Sequence, residues 1–243
     1  MLTKPIPRWI LAGGFLLACV AGCVNAVGFL GAHHQAISHM SGTVSNLGIG
    51  LVGNDRAALA HVASTLGCFF AGCVLSGLII RQSTLKAGRR YGVALAVEAA
   101  LLLGATYFLR HSAITGDYLA AMACGLQNAM ATSYSGAVIR TTHMTGIVTD
   151  LGIALGLLAR NEKVDWRRIG LYGALLTGFF SGGILGALGF ARFGYDTLLV
   201  PAALTGIGGI GYTLFKQFEK PVRRRLRLLP SAPAPTERTD RAA

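Results

Sequence analysis

The sequence predicts an all-α integral membrane protein. It has six transmembrane helices plus two partial or re-entrant helices, arranged as two inverted repeats. Three observations lead there. Hydrophobic residues make up 53 % of the 243 and charged residues 13 %, whereas a water-facing domain carries about a quarter of its residues as charges. Eight apolar segments follow one another, most of them near the roughly 20 residues a helix needs to cross a bilayer. A polar, glycine-bearing phrase also occurs twice, "SHMSGTVSNLGI" at 38–49 and "THMTGIVTDLGI" at 142–153. Seven of its twelve positions are identical, three exchange Ser for Thr and one exchanges Asn for Asp.

The segments fall at about 9–31, 36–53, 58–80, 91–109, 118–139, 143–160, 168–191 and 195–215. The net charge of +12 lies mostly between them. Arg81, Lys86, Arg89 and Arg90 follow the third segment, and Arg160, Lys163, Arg167 and Arg168 follow the sixth. Lys216, Lys220, Arg223, Arg224, Arg225 and Arg227 follow the eighth. A pI near 10.0 would suit a nucleic-acid binder, but these charges sit in short connections, where Lys and Arg mark the cytoplasmic face. Nucleic acid is therefore not an expected partner.

The same rule counts the crossings. Eight full spans would place the 81–90 connection opposite Lys4 and Arg8 of the N-terminus. If segments two and six stop short, both termini and both basic connections fall on the cytoplasmic side of a bacterial inner membrane. The outside then holds little besides Arg110 and Arg192. Segments two and six are the ones that carry the repeated phrase. Their Ser, Thr, Asn, Asp, His and Gly suit broken backbone, which is tolerated at membrane depth only against protein or water.

The duplication extends beyond the phrase. "GCVNA" at 22–26 matches "GLQNA" at 125–129, setting Asn25 opposite Asn128. "FFAG" at 69–72 matches "FFSG" at 179–182, and "GATYFL" at 104–109 loosely matches "GIGYTL" at 209–214. Repeats of 1–115 and 116–218 each contribute three crossings and one partial segment. An odd number of crossings inverts the second half, the architecture of many secondary transporters, whose sites lie near the midplane between repeats. The packing alternative is that Gly and Ser/Thr only bring helices close together.

A Gly-x-x-Asp/Asn-Ala motif in the first helix, followed by Met-Thr/Ser-Gly with Leu-Gly downstream, resembles the YoaK family of bacterial membrane proteins. The likeness covers about 10–215. It implies a multi-span inner-membrane protein and brings no substrate with it. The family usually has Asp where Asn25 stands, and often Asn where Thr43 stands.

The candidate pathway takes Asn25, His39, Ser41, Thr43 and Asn46 from one half, and Gln127, Asn128, His143, Thr145 and Asp150 from the other. Asp150 and Glu98 are the acids well inside apolar segments, where a charge costs about 2.5–3.5 kcal/mol. Either could couple protons, or sit protonated and hydrogen-bonded to a neighbouring helix. His39 and His143 could relay protons, or cap the short helices together with Ser38 and Thr142. His33 and His34 lack the further ligands a metal needs, and none of the five cysteines forms a C-x-x-C. No cofactor is expected. "VAGC" at 20–23 looks like a lipoprotein cleavage box, but Gly22 and Asn25 have partners deep in the second half.

Gly152/Gly156 and Gly182/Gly186 have the spacing of close helix contacts, either within the chain or between subunits of a homo-oligomer. Beyond residue 219 a basic, disordered tail is expected, its Arg223, Arg224, Arg225 and Arg227 meeting anionic headgroups. No hydrolase, P-loop or dinucleotide signature occurs, so an enzyme is not expected. The expected function is a carrier or channel for a small solute or ion. The alternative is a membrane scaffold whose polar residues only join the halves.

Overall fold

A computed structural model of the chain describes residues 8–34, 37–53, 55–80, 89–135 and 140–227. Every element there is helical: α1 (Arg8–Leu30), α2 (Met40–Gly53), α3 (Arg56–Ile79), α4 (Arg89–Arg110), α5 (Thr115–Ser135), α6 (Met144–Ala159), α7 (Trp166–Phe193) and α8 (Leu199–Arg227). A 3-10 turn, Gly194–Leu198, joins the last two. Four stretches of the described residues are long and apolar enough to cross a membrane, three of them Ile10–Leu30, Arg56–Ile79 and Arg90–Arg110. The fourth, Trp166–Leu214, contains α7 and the first half of α8. α5 is less apolar, carrying Asp117, Gln127 and Asn128.

Seven predicted segments match helices to within a few residues. The eighth starts later than predicted and continues through Pro221 to Arg227, so the helix runs past the point where a disordered tail was expected. Arg81 and Lys86 lie outside the described residues, as do 228–243.

α2 and α6 are the short helices, with 14 and 16 residues. At 1.5 Å per residue they span about 21 and 24 Å, less than the roughly 30 Å of a hydrocarbon core. Each is followed by a helix with an aspartate N-cap. Asp55 accepts from the amides of Ala57 and Ala58 at 3.1 and 3.0 Å, and Asp165 from that of Arg167 at 3.1 Å.

The halves interlock rather than standing as separate lobes. α1 packs along α7, and its counterpart α5 packs along α3. Glycine sets both seams. A Cβ on Gly22 would strike the Phe179 carbonyl, and one on Gly125 would strike the carbonyl of Phe69. In return Gly182 lies on the Cys19 carbonyl and Gly72 on that of Met122. Gly22 and Gly125 are repeat partners, as are Gly72 and Gly182, so one contact is built twice. The Gly182/Gly186 pair therefore works within the chain, Gly186 facing Cys23. Gly152 and Gly156 have no neighbour within 4 Å of an added Cβ.

α4 and α8 cross at Gly92 and Gly209. α4 also lies along α5, where Gly104 meets Leu119 and Gly116 meets Leu109, while α8 meets α1 only sparsely. One end of the bundle gathers the connections. The Ala32 amide donates to the Tyr195 phenol oxygen at 2.8 Å, His33 reaches Asp117, and Arg110 pairs with Asp196.

Candidate functional site

The polar centre of the first half is built on Asn25, a buried residue in α1. Its Oδ1 accepts from the Ser38 amide at 3.2 Å and the Ser38 hydroxyl at 3.0 Å, and lies 3.2 Å from His39 Nδ1. These donors immediately precede α2, so one amide oxygen fixes where the short helix begins. Ile37 is buried among Val24, Val27 and Leu198, which draws the lead-in deep into the bundle. The His39 ring then meets Phe179 of α7 edge-on, with centroids 5.7 Å apart. Because Phe179 also receives Gly22, Asn25 and His39 lie over the seam between the halves. Thr43 is buried one turn on, its hydroxyl reaching the His39 carbonyl at 3.3 Å.

The predicted caps are not made. Ser38 gives its hydroxyl to Asn25 instead of taking α2 amides, and His143 occupies the N-cap position of α6 with no side-chain hydrogen bond. The second half also lacks the Asn25 arrangement. Asn128 Oδ1 is buried without a donor among the described residues, and no hydrogen bond reaches Thr142. His143 is exposed, its ring over Gly146.

The remaining candidates disperse. α2 and α6 do not meet near the centre: among the described residues they share no contact, α2 packing on α3 and α6 on α7. Both short helices stand outside the interlocked pairs, so their outer faces are bare, with Val52 89 % and Leu155 67 % exposed. Ser41, Asn46, Thr145 and Asp150 share that exposure instead of lining a common pocket. Tyr172 of α7 is a neighbour of Asp150. Gln127 is buried and spends its Nε2 on the Leu17 carbonyl at 3.1 Å, tying α5 to α1.

Glu98 is fully buried on α4 beside Cys124 of α5, and its Oε2 lacks the hydrogen bond expected of a structural acid. A groove between α4 and α8, walled by Gly92, Val93, Ala96, Gly209 and Ile210, is apolar and touches neither copy of the phrase.

One polar cluster escaped the sequence reading. His33 Nδ1 stands 2.6 Å from Asp117 Oδ2, a close contact that falls short of hydrogen-bond alignment. The rings of His33 and His61 are 5.5 Å apart, and His61 Nδ1 is 3.3 Å from the Tyr118 hydroxyl. These residues come from the α1–α2 connection, α3 and α5, and nothing in their spacing announces the meeting. Among the described residues no group of three or more His, Cys, Asp or Glu could hold a metal.

No curated protein and no solved structure matches the chain. A family model does, over residues 13–211, and it spans the whole interlocked bundle from α1 into α8. The chain belongs to that family, DUF1275, described as proteins of unknown function.

Proposed function

We propose that the protein is a secondary carrier or channel for a small solute or ion in the bacterial inner membrane, working at the junction of two inverted halves. Six crossings and two re-entrant helices fit the contacts. With eight full crossings His33 and Asp117 would lie on opposite faces, yet they touch. The termini then lie in the cytoplasm, with Arg223, Arg224, Arg225 and Arg227 near anionic lipid.

The observation that carries the reading is the Asn25 centre. A buried amide oxygen, beneath a short helix that starts inside the bundle, holds the lead-in against the opposite half. Interrupted helices with exposed termini are how transporters offer backbone groups to solutes. The free amides at the starts of α2 and α6 favour an anionic group there. Of the two acids, Glu98 suits proton coupling better, because it is sequestered and lacks a partner for Oε2, while Asp150 is exposed.

The scaffold reading has its own observation. Ser38 and His39 already crowd Asn25 Oδ1, and the α4–α8 groove is apolar. Uptake into proteoliposomes across a panel of small anions, cations and neutral solutes separates the two. We expect accumulation of at least one solute, reduced tenfold or more by Asn25→Ala, and loss of its proton-gradient dependence in Glu98→Gln. Uptake indifferent to Asn25→Ala, His143→Ala and Asp150→Asn removes all three from the path. No uptake of any solute by correctly folded protein selects the scaffold.

A further inference from the structure

The two copies of the junction are chemically alike but differently arranged. In the first, Asn25 Oδ1 takes Ser38 and His39. In the second, among the described residues, the matching Asn128 Oδ1 is buried with no donor, no hydrogen bond reaches the matching Thr142, and the matching His143 is exposed. Thr142 carries the same amide and hydroxyl donors as Ser38, and His143 the same ring N–H, so the second junction has every group it needs to close.

The helices differ in the same sense. α4 lies along α5, whereas α8 is parted from the equivalent face of α1 for most of its length. Gly104 is seated on α5, but its counterpart Gly209 is turned to α4.

We infer that the halves exchange these arrangements: Asn128 takes up Thr142 and His143 as Asn25 releases Ser38 and His39. Either end state has one amide oxygen satisfied and one bare, so the hydrogen-bond cost is the same on both sides of the exchange. With the hydrogen bonding balanced and the remaining packing favouring the first-half closure, a ligand that prefers the second can shift the exchange. The inference rests on the two-half reading above and is independent of which solute is carried.

Two cysteine pairs test it in membrane vesicles under mild oxidation, with linked peptides identified by mass spectrometry so that the native thiols do not confuse the readout. Asn25→Cys with Ser38→Cys should link almost completely. Asn128→Cys with Thr142→Cys should link at least tenfold more than the control Asn128→Cys with Thr149→Cys, which lies further along α6. Linking of the 128/142 pair at the control level, or no linking of the 25/38 pair, overturns the inference.

Because these substitutions alter the junction, hydrogen exchange of the unaltered protein provides a second reading. Peptides covering 37–44 and 141–148 should each show a protected and an open population. One protected population in the first and one open population in the second overturns the exchange. Solute uptake without any exchange sinks this inference but leaves the carrier reading intact. Exchange without uptake supports the inference and sinks the carrier.

Discussion

Asn25 and Asn128 are the same residue at the same place in two copies of one motif, and they do different work. Asn25 Oδ1 gathers two donors from Ser38 and lies beside His39 Nδ1, while Asn128 Oδ1 gathers none among the described residues. Hydrogen bonds between membrane helices contribute about 0.6–2 kcal/mol each, so truncating the two amides has unequal effects. We expect Asn25→Ala to lower unfolding stability in detergent by about 1–2 kcal/mol and to expose residues 37–40 to proteolysis. Asn128→Ala should change stability by less than about 0.5 kcal/mol, as expected for a polar group with nothing to lose. Equal losses from both would contradict the asymmetry. The identity of these two residues was legible in the sequence, because "GCVNA" and "GLQNA" align. Their unequal bonding was not, since it depends on whether 38–39 and 142–143 swing toward α1 and α5.

At the scale of the helix, the repeat in the sequence is also a repeat in the packing, with a twist that spacing does not reveal. "FFAG" and "FFSG" were readable as copies of each other. That each lies on the glycine of the opposite half, Phe69 with Gly125 and Phe179 with Gly22, is a three-dimensional fact. The paired N-caps Asp55 and Asp165 went unread for a simpler reason: the residues around them, "NDRAALA" and "VDWRRIG", share little else. The polarity of α2 and α6 predicts convergence at the centre, and the two helices share no contact among the described residues. In the fold Ser41, Asn46, Thr145 and Asp150 face outward while Thr43 is buried, because the interlocked pairs occupy the centre. The seams admit no side chain. Gly22→Val and Gly125→Val should each destabilise by several kcal/mol, above the roughly 1–3 kcal/mol of ordinary overpacking, since the obstacle is a backbone carbonyl. Gly152→Val should be nearly silent in the same thermal-shift measurement, as space is open around it.

For the whole molecule, the decisive feature is which connections share an end. Ala32, His33, Arg110, Asp117, Tyr195 and Asp196 meet at one end of the bundle. A membrane-impermeant thiol reagent applied to intact cells should therefore label Ser112→Cys and not Asn161→Cys. Labelling of both from the same side would rule out the six-crossing arrangement. The interlocking also constrains how the protein is made. Gly22 and its partner Phe179 are separated by 157 residues of chain, which at about 5–20 residues per second is roughly 8–30 s of synthesis. Through that interval α1 sits in the bilayer with its narrow glycine face uncovered, although α5 has already met α3. A ribosome that stalls at the midpoint leaves not half a bundle but three orphaned helices, α1, α3 and α4, each still waiting for a mate that was never translated.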